Sequence, residues 1–151
     1  MGSATKAVLT EQERITDPAS ITELAARSNA GVNVELGTNA AQEKNAGPLA
    51  ELTGQAPGVR IGYSSKLWMH AKVLIVDGTS MLMGSVNLTA DSLDDRREVS
   101  ILLTEAASVD RAIRVAQNDL AAAFPQPPDA GQRPAPPADK PSEQGPTGGG
   151  N

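Results

Sequence analysis

Residues 70–87 form the stretch that most constrains how this chain can fold. Residues 70–77 read His-Ala-Lys-Val-Leu-Ile-Val-Asp, an apolar run that ends in Asp77-Gly78. Such a run predicts a strand buried on both faces, and Asp followed by Gly is typical of a tight hairpin turn. The apolar Met81-Leu82-Met83 then predicts a strand that runs back antiparallel to the first. The chain is therefore expected to build a β-sheet around this hairpin.

Polar residues of this hairpin are expected to share one face. His70 and Lys72 are two residues apart, so they lie on the same side of the strand, about 7 Å apart along it. A two-residue loop places residue 70 opposite 85, and a four-residue loop places it opposite 87. Either pairing puts Ser85 and Asn87 on the face of His70 and Lys72. Gly84 then marks a close approach of backbone to another strand or to a ligand.

An imidazole, an ammonium, a hydroxyl and a carboxamide together can hold a phosphate group and attack it. Each residue also has a structural explanation: a histidine at the start of a buried strand is often a core residue, and Ser85 and Asn87 suit a loop. Lys72 is harder to explain, because a lysine in a buried strand needs an anion beside it. The shared face favours a site over these separate explanations.

Elsewhere in the chain, helical and strand patterns alternate. The apolar periodicity predicts helices over residues 18–29, 48–53 and 106–124. Strands are predicted over residues 7–9, 32–36, 59–63 and 98–103. This alternation indicates a layered α/β domain, in which a mixed β-sheet is flanked by helices.

The spacing of the polar residues resembles the H-x-K-x4-D-x6-G-S-x-N signature of the phospholipase D superfamily, the HKD motif. The matching residues are His70, Lys72, Asp77, Gly84, Ser85 and Asn87. Glu98 stands where the family commonly has a glutamate that opens the next strand. The likeness extends over roughly residues 6–124, and it implies an α-β-α layered phospholipase D-like domain.

The resemblance implies a two-step transfer on a phosphodiester. In the family one histidine attacks phosphorus to form a phosphohistidine, and a second histidine protonates the leaving alcohol. His70 would supply one imidazole, while Lys72 and Asn87 would hold the non-bridging oxygens. Ser85 would add a hydrogen bond, and Glu98 would fix the orientation of an imidazole.

Two further expectations accompany this scheme. Asp77 belongs to the motif, but it lies at the hairpin turn and is expected to be structural. The scheme requires no cofactor and no metal ion, and a chain with one histidine and no cysteine offers few soft metal ligands.

His70 is the only histidine of the chain, so chemistry with two imidazoles needs a second HKD half. In a first hypothesis the chain pairs with an identical copy, as small single-motif bacterial endonucleases of the superfamily do. In a second it resembles the C-terminal half of a two-motif enzyme whose N-terminal half is missing or encoded apart, which the short N-terminus favours. In a third it is a non-catalytic half that serves as a dimerisation or binding module.

A phospholipid is favoured over a nucleic acid as the phosphodiester substrate. Residues 87–89 and 92–98 resemble the corresponding stretches of bacterial phospholipase D-like and cardiolipin-synthase-like proteins, but these stretches do not identify a substrate. A formal charge of −5 argues against indiscriminate binding of nucleic acid, which relies on lysine and arginine. A lipid-binding site would need an exposed apolar rim, for which Leu67, Trp68 and Met69 are candidates. A buried position in the strand that leads into His70 explains these residues better.

The end of the chain has a different composition. The last 27 residues, from Pro125, hold eight of the eleven prolines and no valine, isoleucine, leucine or aromatic residue. We therefore expect a domain over residues 1–124 and a disordered Pro/Gly-rich tail over residues 125–151. No signal peptide is recognised and no apolar run approaches about 18 residues, so the expectation is a soluble chain without stable membrane insertion, cytoplasmic by default.

Overall fold

A mixed β-sheet forms the centre of the computed structural model, which describes residues 1–39, 43–64 and 68–126. Its strands are β1 (Ala7–Gln12), β2 (Asn33–Asn39), β3 (Arg60–Ser64), β4 (Lys72–Val76), β5 (Ser80–Gly84) and β6 (Ser100–Leu103). They lie in the order β3-β2-β1-β4-β5-β6. Strands β1, β2 and β3 are parallel, whereas β4, β5 and β6 each run antiparallel to the preceding neighbour in the sheet.

Helices cover both faces of the sheet. Helix α1 (Pro18–Asn29) and helix α2 (Ala46–Gln55) pack on one face, and helix α3 (Ala106–Ala122) packs on the other. Val8 and Leu36 are fully buried under α1 and α2, while Ile75 is buried under α3 with Val109 and Leu120. The α-β-α layers that the sequence predicts are thus confirmed.

Local chemistry explains where the helix and strand of the first crossover begin and end. The Asp17 carboxylate accepts a hydrogen bond from the Ser20 backbone N–H at 2.7 Å, and Pro18 opens α1 with its fixed φ. After the helix, Gly31 has a φ of 87°, which glycine adopts at little cost. The chain then enters β2 beside β1, as expected for a parallel β-α-β unit.

Some boundaries differ from the sequence prediction. Strand β1 runs three residues beyond Leu9 to Gln12, because it pairs with β2 on one side and β4 on the other and so accommodates polar residues. Strand β4 begins at Lys72, so His70 lies in the segment that leads into it rather than within it. A π-helical turn, Asp91–Asp95, was not predicted.

The hairpin between β4 and β5 forms as predicted, but its register is different. Asp77 and Gly78 both have positive φ, at 54° and 67°, and the Thr79 N–H closes the turn on the Val76 carbonyl at 3.1 Å. Val76 nevertheless pairs with Ser80, because Thr79 is left outside the ladder. The connection therefore has three residues instead of two or four, and strand pairing does not place Ser85 or Asn87 on the His70 face.

Gly84 confirms the expected close approach of backbone. A Cβ atom at this position would collide with the Val99 carbonyl oxygen and would lie 2.6 Å from the Ser100 Cα atom. Strands β5 and β6 can therefore meet here only if residue 84 lacks a side chain.

Within the part of the chain that the structure describes, no helix combines the length and the apolar character needed to cross a membrane. Leu67 and residues 127–151, which hold most of the predicted tail, lie outside the described residues.

Candidate active site

The candidate site lies at one end of the sheet, where β1 and β5 end and where β4 and β6 begin. Gln12, the last residue of β1, pairs with Lys72, the first residue of β4. Gly84, the last residue of β5, pairs with Ser100, the first residue of β6. The segments that enter and leave this row of residues carry the motif side chains.

Glu13 joins the first two motif residues. One carboxylate oxygen, Oε2, lies 2.6 Å from the Lys72 Nζ atom and 3.2 Å from the His70 Nε2 atom. The Lys72 ammonium also donates a hydrogen bond to the His70 carbonyl oxygen at 3.0 Å. The imidazole and the ammonium therefore converge on a single anionic oxygen, although His70 lies outside β4.

Burial differs sharply across this group. The side chain of Lys72 is 6% exposed and that of Glu13 is 15% exposed, whereas the His70 side chain is 75% exposed. A buried ammonium is costly without a partner, and Glu13 supplies the neutralising charge. The His70 imidazole is open to whatever approaches this end of the sheet.

Glu98 organises a second group of polar residues. Its carboxylate accepts a short hydrogen bond from the Ser85 hydroxyl, and another from the Ser92 hydroxyl at 2.5 Å. The Ser85 Oγ atom in turn accepts the Val99 N–H at 3.0 Å. Ser92 comes from the π-helical turn, which is how that unpredicted element enters the site.

The surroundings keep Glu98 ionised. Hydrogen bonds from Ser85 and Ser92 hold the pKa of Glu98 below its usual value. The positive charges of Arg96 and Lys72 lower this pKa further. Glu98 is therefore an acceptor for both hydroxyls, and the charge of Lys72 links the two groups of the site.

Asn87 connects to the first group through the main chain. Its Oδ1 atom accepts the Arg14 N–H at 3.3 Å, and its own N–H donates to the Ser92 Oγ atom at 3.1 Å. Among the described residues, no hydrogen-bond partner takes up the Nδ2 group of Asn87. This amide can therefore donate to a bound oxygen.

Asp77 lies away from these groups, at the opposite end of β4. Its carboxylate accepts the backbone N–H groups of Thr5, Lys6 and Ala7 at distances between 2.8 and 3.1 Å. These bonds, led by that of Ala7, hold the pKa of Asp77 far below its usual value. Asp77 fixes the start of β1 to the hairpin turn, which fits the expected structural role.

An apolar cavity opens beside the motif residues. It has a volume of about 390 Å³, and His70 and Lys72 are among its lining residues. Most of its other lining residues are apolar or glycine: Ala71, Val73, Met83, Gly84, Val99 and Ile101. Val99 and Ile101 are 75% and 58% exposed, so the apolar surface continues out of the cavity along β6.

The structure thus joins His70 and Lys72 directly, and it joins Ser85 to Glu98. It does not bring Glu98 to the His70 imidazole, and within this chain the Glu98 carboxylate accepts from Ser85 and Ser92 instead. Action of Glu98 on an imidazole, including one supplied by a second half, stays a prediction. Across the described residues, no cluster of three or more histidine, cysteine, aspartate or glutamate side chains could hold a metal ion.

Sequence reasoning missed Glu13 and Ser92. Glu13 lies 59 positions before Lys72, and no local pattern relates the two residues. One signal was available, since a lysine in a buried strand calls for an anion and the end of β1 is rich in acidic residues. Ser92 had no such signal, because its contact with Glu98 depends on the π-helical turn.

A second acidic residue of β1, Glu11, gives a prediction about stability. Burial raises the pKa of Glu11 to about 7, and the charge of Asp119 on α3 contributes to the rise. Because the folded state holds this proton more tightly than the unfolded state, stability should fall as the pH rises from about 4.5 to about 7. After allowance for solvent screening, we expect a loss of about 1 to 2 kcal/mol.

The substitution Glu11→Gln should remove this loss. Urea unfolding at pH 5 and pH 8 measures the effect, and Glu51→Gln on the exposed face of α2 serves as the control. Equal pH dependence in Glu11→Gln and the unsubstituted protein would contradict the assignment.

The comparisons with known proteins agree with this geometry. The family model described as "Cardiolipin synthase, PLD-like domain" matches residues 1–120. No curated protein sequence matches the chain significantly.

Similar folds occur among solved structures. Nuc from Salmonella typhimurium, a phospholipase D family member, is 17% identical with a TM-score of 0.75, over 84% of this chain and 86% of that one. NucT from Helicobacter pylori is 16% identical with a TM-score of 0.73, over 83% and 85%. Phosphatidylserine synthase from Haemophilus influenzae Rd KW20 is 17% identical with a TM-score of 0.59, over 77% of this chain and 32% of that one.

The six-stranded sheet, the motif spacing and the match over residues 1–120 agree. The chain belongs to the PLD-like domain family of the phospholipase D superfamily.

Proposed function

We propose that this chain is a phospholipase D-type phosphodiesterase, which hydrolyses or transfers phospholipid head groups through a phosphohistidine intermediate. One observation carries the proposal. The His70 Nε2 atom and the Lys72 Nζ atom both contact the same carboxylate oxygen of Glu13, at 3.2 and 2.6 Å. A phosphate group is also an anion, so both side chains could reach one bound phosphate, with Lys72 on a non-bridging oxygen and His70 next to phosphorus.

In the proposed reaction, His70 attacks phosphorus and the bond from phosphorus to the leaving alcohol breaks. Lys72 and the free amide of Asn87 bind the non-bridging oxygens, where negative charge grows in the transition state. The leaving oxygen takes a proton from a second imidazole. That imidazole then activates water or another alcohol, whose attack breaks the phosphorus–nitrogen bond and releases His70.

Ser85 and Glu98 act beside these groups. The Ser85 hydroxyl hydrogen is committed to Glu98, so Ser85 stabilises the loop rather than donating to substrate. In this scheme the ionised Glu98 is available to hold the imidazolium form of a second histidine. Asp77 acts at a distance, by fixing β1 against the hairpin.

The second imidazole has to come from another HKD half, because the chain contains one histidine. The near-equal coverage of this chain and of Nuc and NucT supports a composite site built by two copies. The match covers 32% of phosphatidylserine synthase, so a domain of this kind also occurs as one part of a larger chain. A second copy of this chain and a separate HKD half would each supply the second imidazole to the same site.

Several observations favour a phospholipid. The apolar cavity beside His70 would receive the apolar part of a lipid next to its phosphate, whereas a nucleic acid offers a polar sugar there. The formal charge of −5 disfavours a polyanion. Trp68 and Met69 are half-buried and contribute little exposed apolar surface. The preference for a lipid therefore rests on the cavity.

Two alternatives have a specific basis. The likeness to Nuc and NucT over most of their length supports a single-motif homodimer, for which nucleic-acid phosphodiesters are the other substrate class. A non-catalytic half that only dimerises or binds would keep the same exposed apolar surface on β6.

A substrate panel tests the proposal. The full chain is incubated with vesicles of phosphatidylcholine, vesicles of phosphatidylglycerol, and single-stranded DNA, each with and without EDTA. We expect release of a lipid head group, insensitive to EDTA because no step of the scheme uses a metal ion. Cleavage of DNA alone would support the endonuclease alternative, and strong loss on chelation that a divalent metal restores would contradict the mechanism.

A further inference from the structure

Glu13 occupies the place in the site where the proposed function needs a substrate oxygen. Its Oε2 atom lies 2.6 Å from the Lys72 Nζ atom and 3.2 Å from the His70 Nε2 atom. The HKD motif contains no residue at this position of the chain. The contact is therefore a property of this sequence that the motif does not explain.

We propose that Glu13 is an internal competitor for the phosphate position, and that its withdrawal sets the affinity of the site for anions. The inference rests on the proposed function for the identity of the substrate. It does not depend on turnover, because it concerns the binding of a phosphate group to Lys72 and His70.

Competition follows from charge and from the number of donors. A carboxylate and a phosphate oxygen held side by side would repel each other, and more strongly at a partly buried site than in water. One of the three Lys72 N–H donors is already committed to the His70 carbonyl oxygen at 3.0 Å. Glu13 takes a second donor, and its Oε2 atom fills the point where the Lys72 and His70 side chains converge, so a phosphate oxygen can contact both side chains there only after Glu13 leaves.

The main chain of Glu13 is fixed, so only its side chain has to move. The Glu13 N–H donates to the Ala71 carbonyl at 3.0 Å, and the Glu13 carbonyl accepts from the Asn45 Nδ2 atom at 3.0 Å. The side chain is 15% exposed, and the proposal requires it to rotate outward. One anion then replaces another, and the buried Lys72 is never left without a negative partner.

Binding of inorganic phosphate tests this exchange directly. Isothermal titration calorimetry compares the unsubstituted full chain with Glu13→Gln, which removes the charge and keeps the size. We expect the dissociation constant to fall about tenfold in Glu13→Gln, equivalent to about 1.4 kcal/mol. The added substitution Lys72→Met should abolish the gain.

Glu35→Gln is the matched control. The Glu35 side chain is also 15% exposed and its Oε1 atom pairs with Arg60 at 2.8 Å, so the substitution removes one charge from a similar ion pair elsewhere. The control should bind phosphate as the unsubstituted protein does. If Glu13→Gln binds no more tightly than Glu35→Gln, Glu13 only neutralises Lys72 and the inference is wrong.

A shorter acid covers the case in which Glu13→Gln does not fold. Glu13→Asp keeps the charge, but its shorter side chain reaches His70 less well. It too should bind phosphate more tightly than the unsubstituted chain, and equal or weaker binding overturns the inference.

The proposed function can fail separately from this inference. Tighter phosphate binding without hydrolysis of any phosphodiester would sink the activity alone, whereas hydrolysis with unchanged phosphate binding would sink the competition alone.

Discussion

Substitution of His70 by alanine is expected to abolish phosphodiester turnover, with a loss of about ten-thousand-fold or more. The proposed reaction uses this imidazole to form the covalent intermediate, and the chain contains no other histidine to replace it. Where two copies form the site, one substitution removes both imidazoles at once. Initial rates of head-group release measure the effect.

The loss should come without a loss of structure. The His70 side chain is 75% exposed and outside the strands, so the melting temperature of His70→Ala should stay close to that of the unsubstituted protein. Retention of most activity in His70→Ala would exclude a phosphohistidine on this residue.

Asn87→Ala should lower turnover less, by about ten- to a hundred-fold, because Lys72 continues to hold the phosphoryl group.

The largest effect on stability is expected for Gly84→Ala. The added methyl group would collide with the Val99 carbonyl oxygen and lie within 2.6 Å of the Ser100 Cα and Oγ atoms. These are atoms of β6 and its approach, so the backbone has to shift. We expect a loss of about 3 kcal/mol or more of unfolding free energy, measured by urea denaturation.

Gly54→Ala provides the control for this substitution. Gly54 lies in α2 and a Cβ atom there would meet nothing within 4 Å. Alanine at a helical position should stabilise the protein by about 0.5 to 1 kcal/mol. Equal effects of the two substitutions would show that β5 and β6 are not packed as described.

Local pattern and motif spacing predicted the sheet, the flanking helices and the residues of the motif. They predicted these features because buried strands and amphipathic helices have a periodicity that short segments carry. The predicted hairpin register was wrong. One residue left outside the ladder moves every later side chain to the opposite face of the sheet. Local sequence does not reveal whether Thr79 pairs or is left out.

Long-range contacts set the rest of the site. Glu13 meets Lys72 only because β1 and β4 are neighbours in the sheet, and that order depends on the whole fold. Glu98 was expected to orient an imidazole, but within this chain it accepts from Ser85 and Ser92. A histidine from a second half could still reach it, which the motif alone does not decide.

The proposed mechanism depends on a covalent intermediate on His70 in a site shared by two HKD halves. The most direct measurement traps it: the full chain reacts with a soluble phosphodiester, is quenched in denaturant at alkaline pH, and is weighed by intact-protein mass spectrometry. Sedimentation of the same sample gives the oligomeric state.

For a homodimer, we expect an adduct on His70 in no more than one of two chains, because the other imidazole must stay free to act as the acid. The adduct should be lost on mild acidification, as expected for a phosphorus–nitrogen bond. Labelling of every chain, or turnover by a monomer with no partner present, would contradict the shared site.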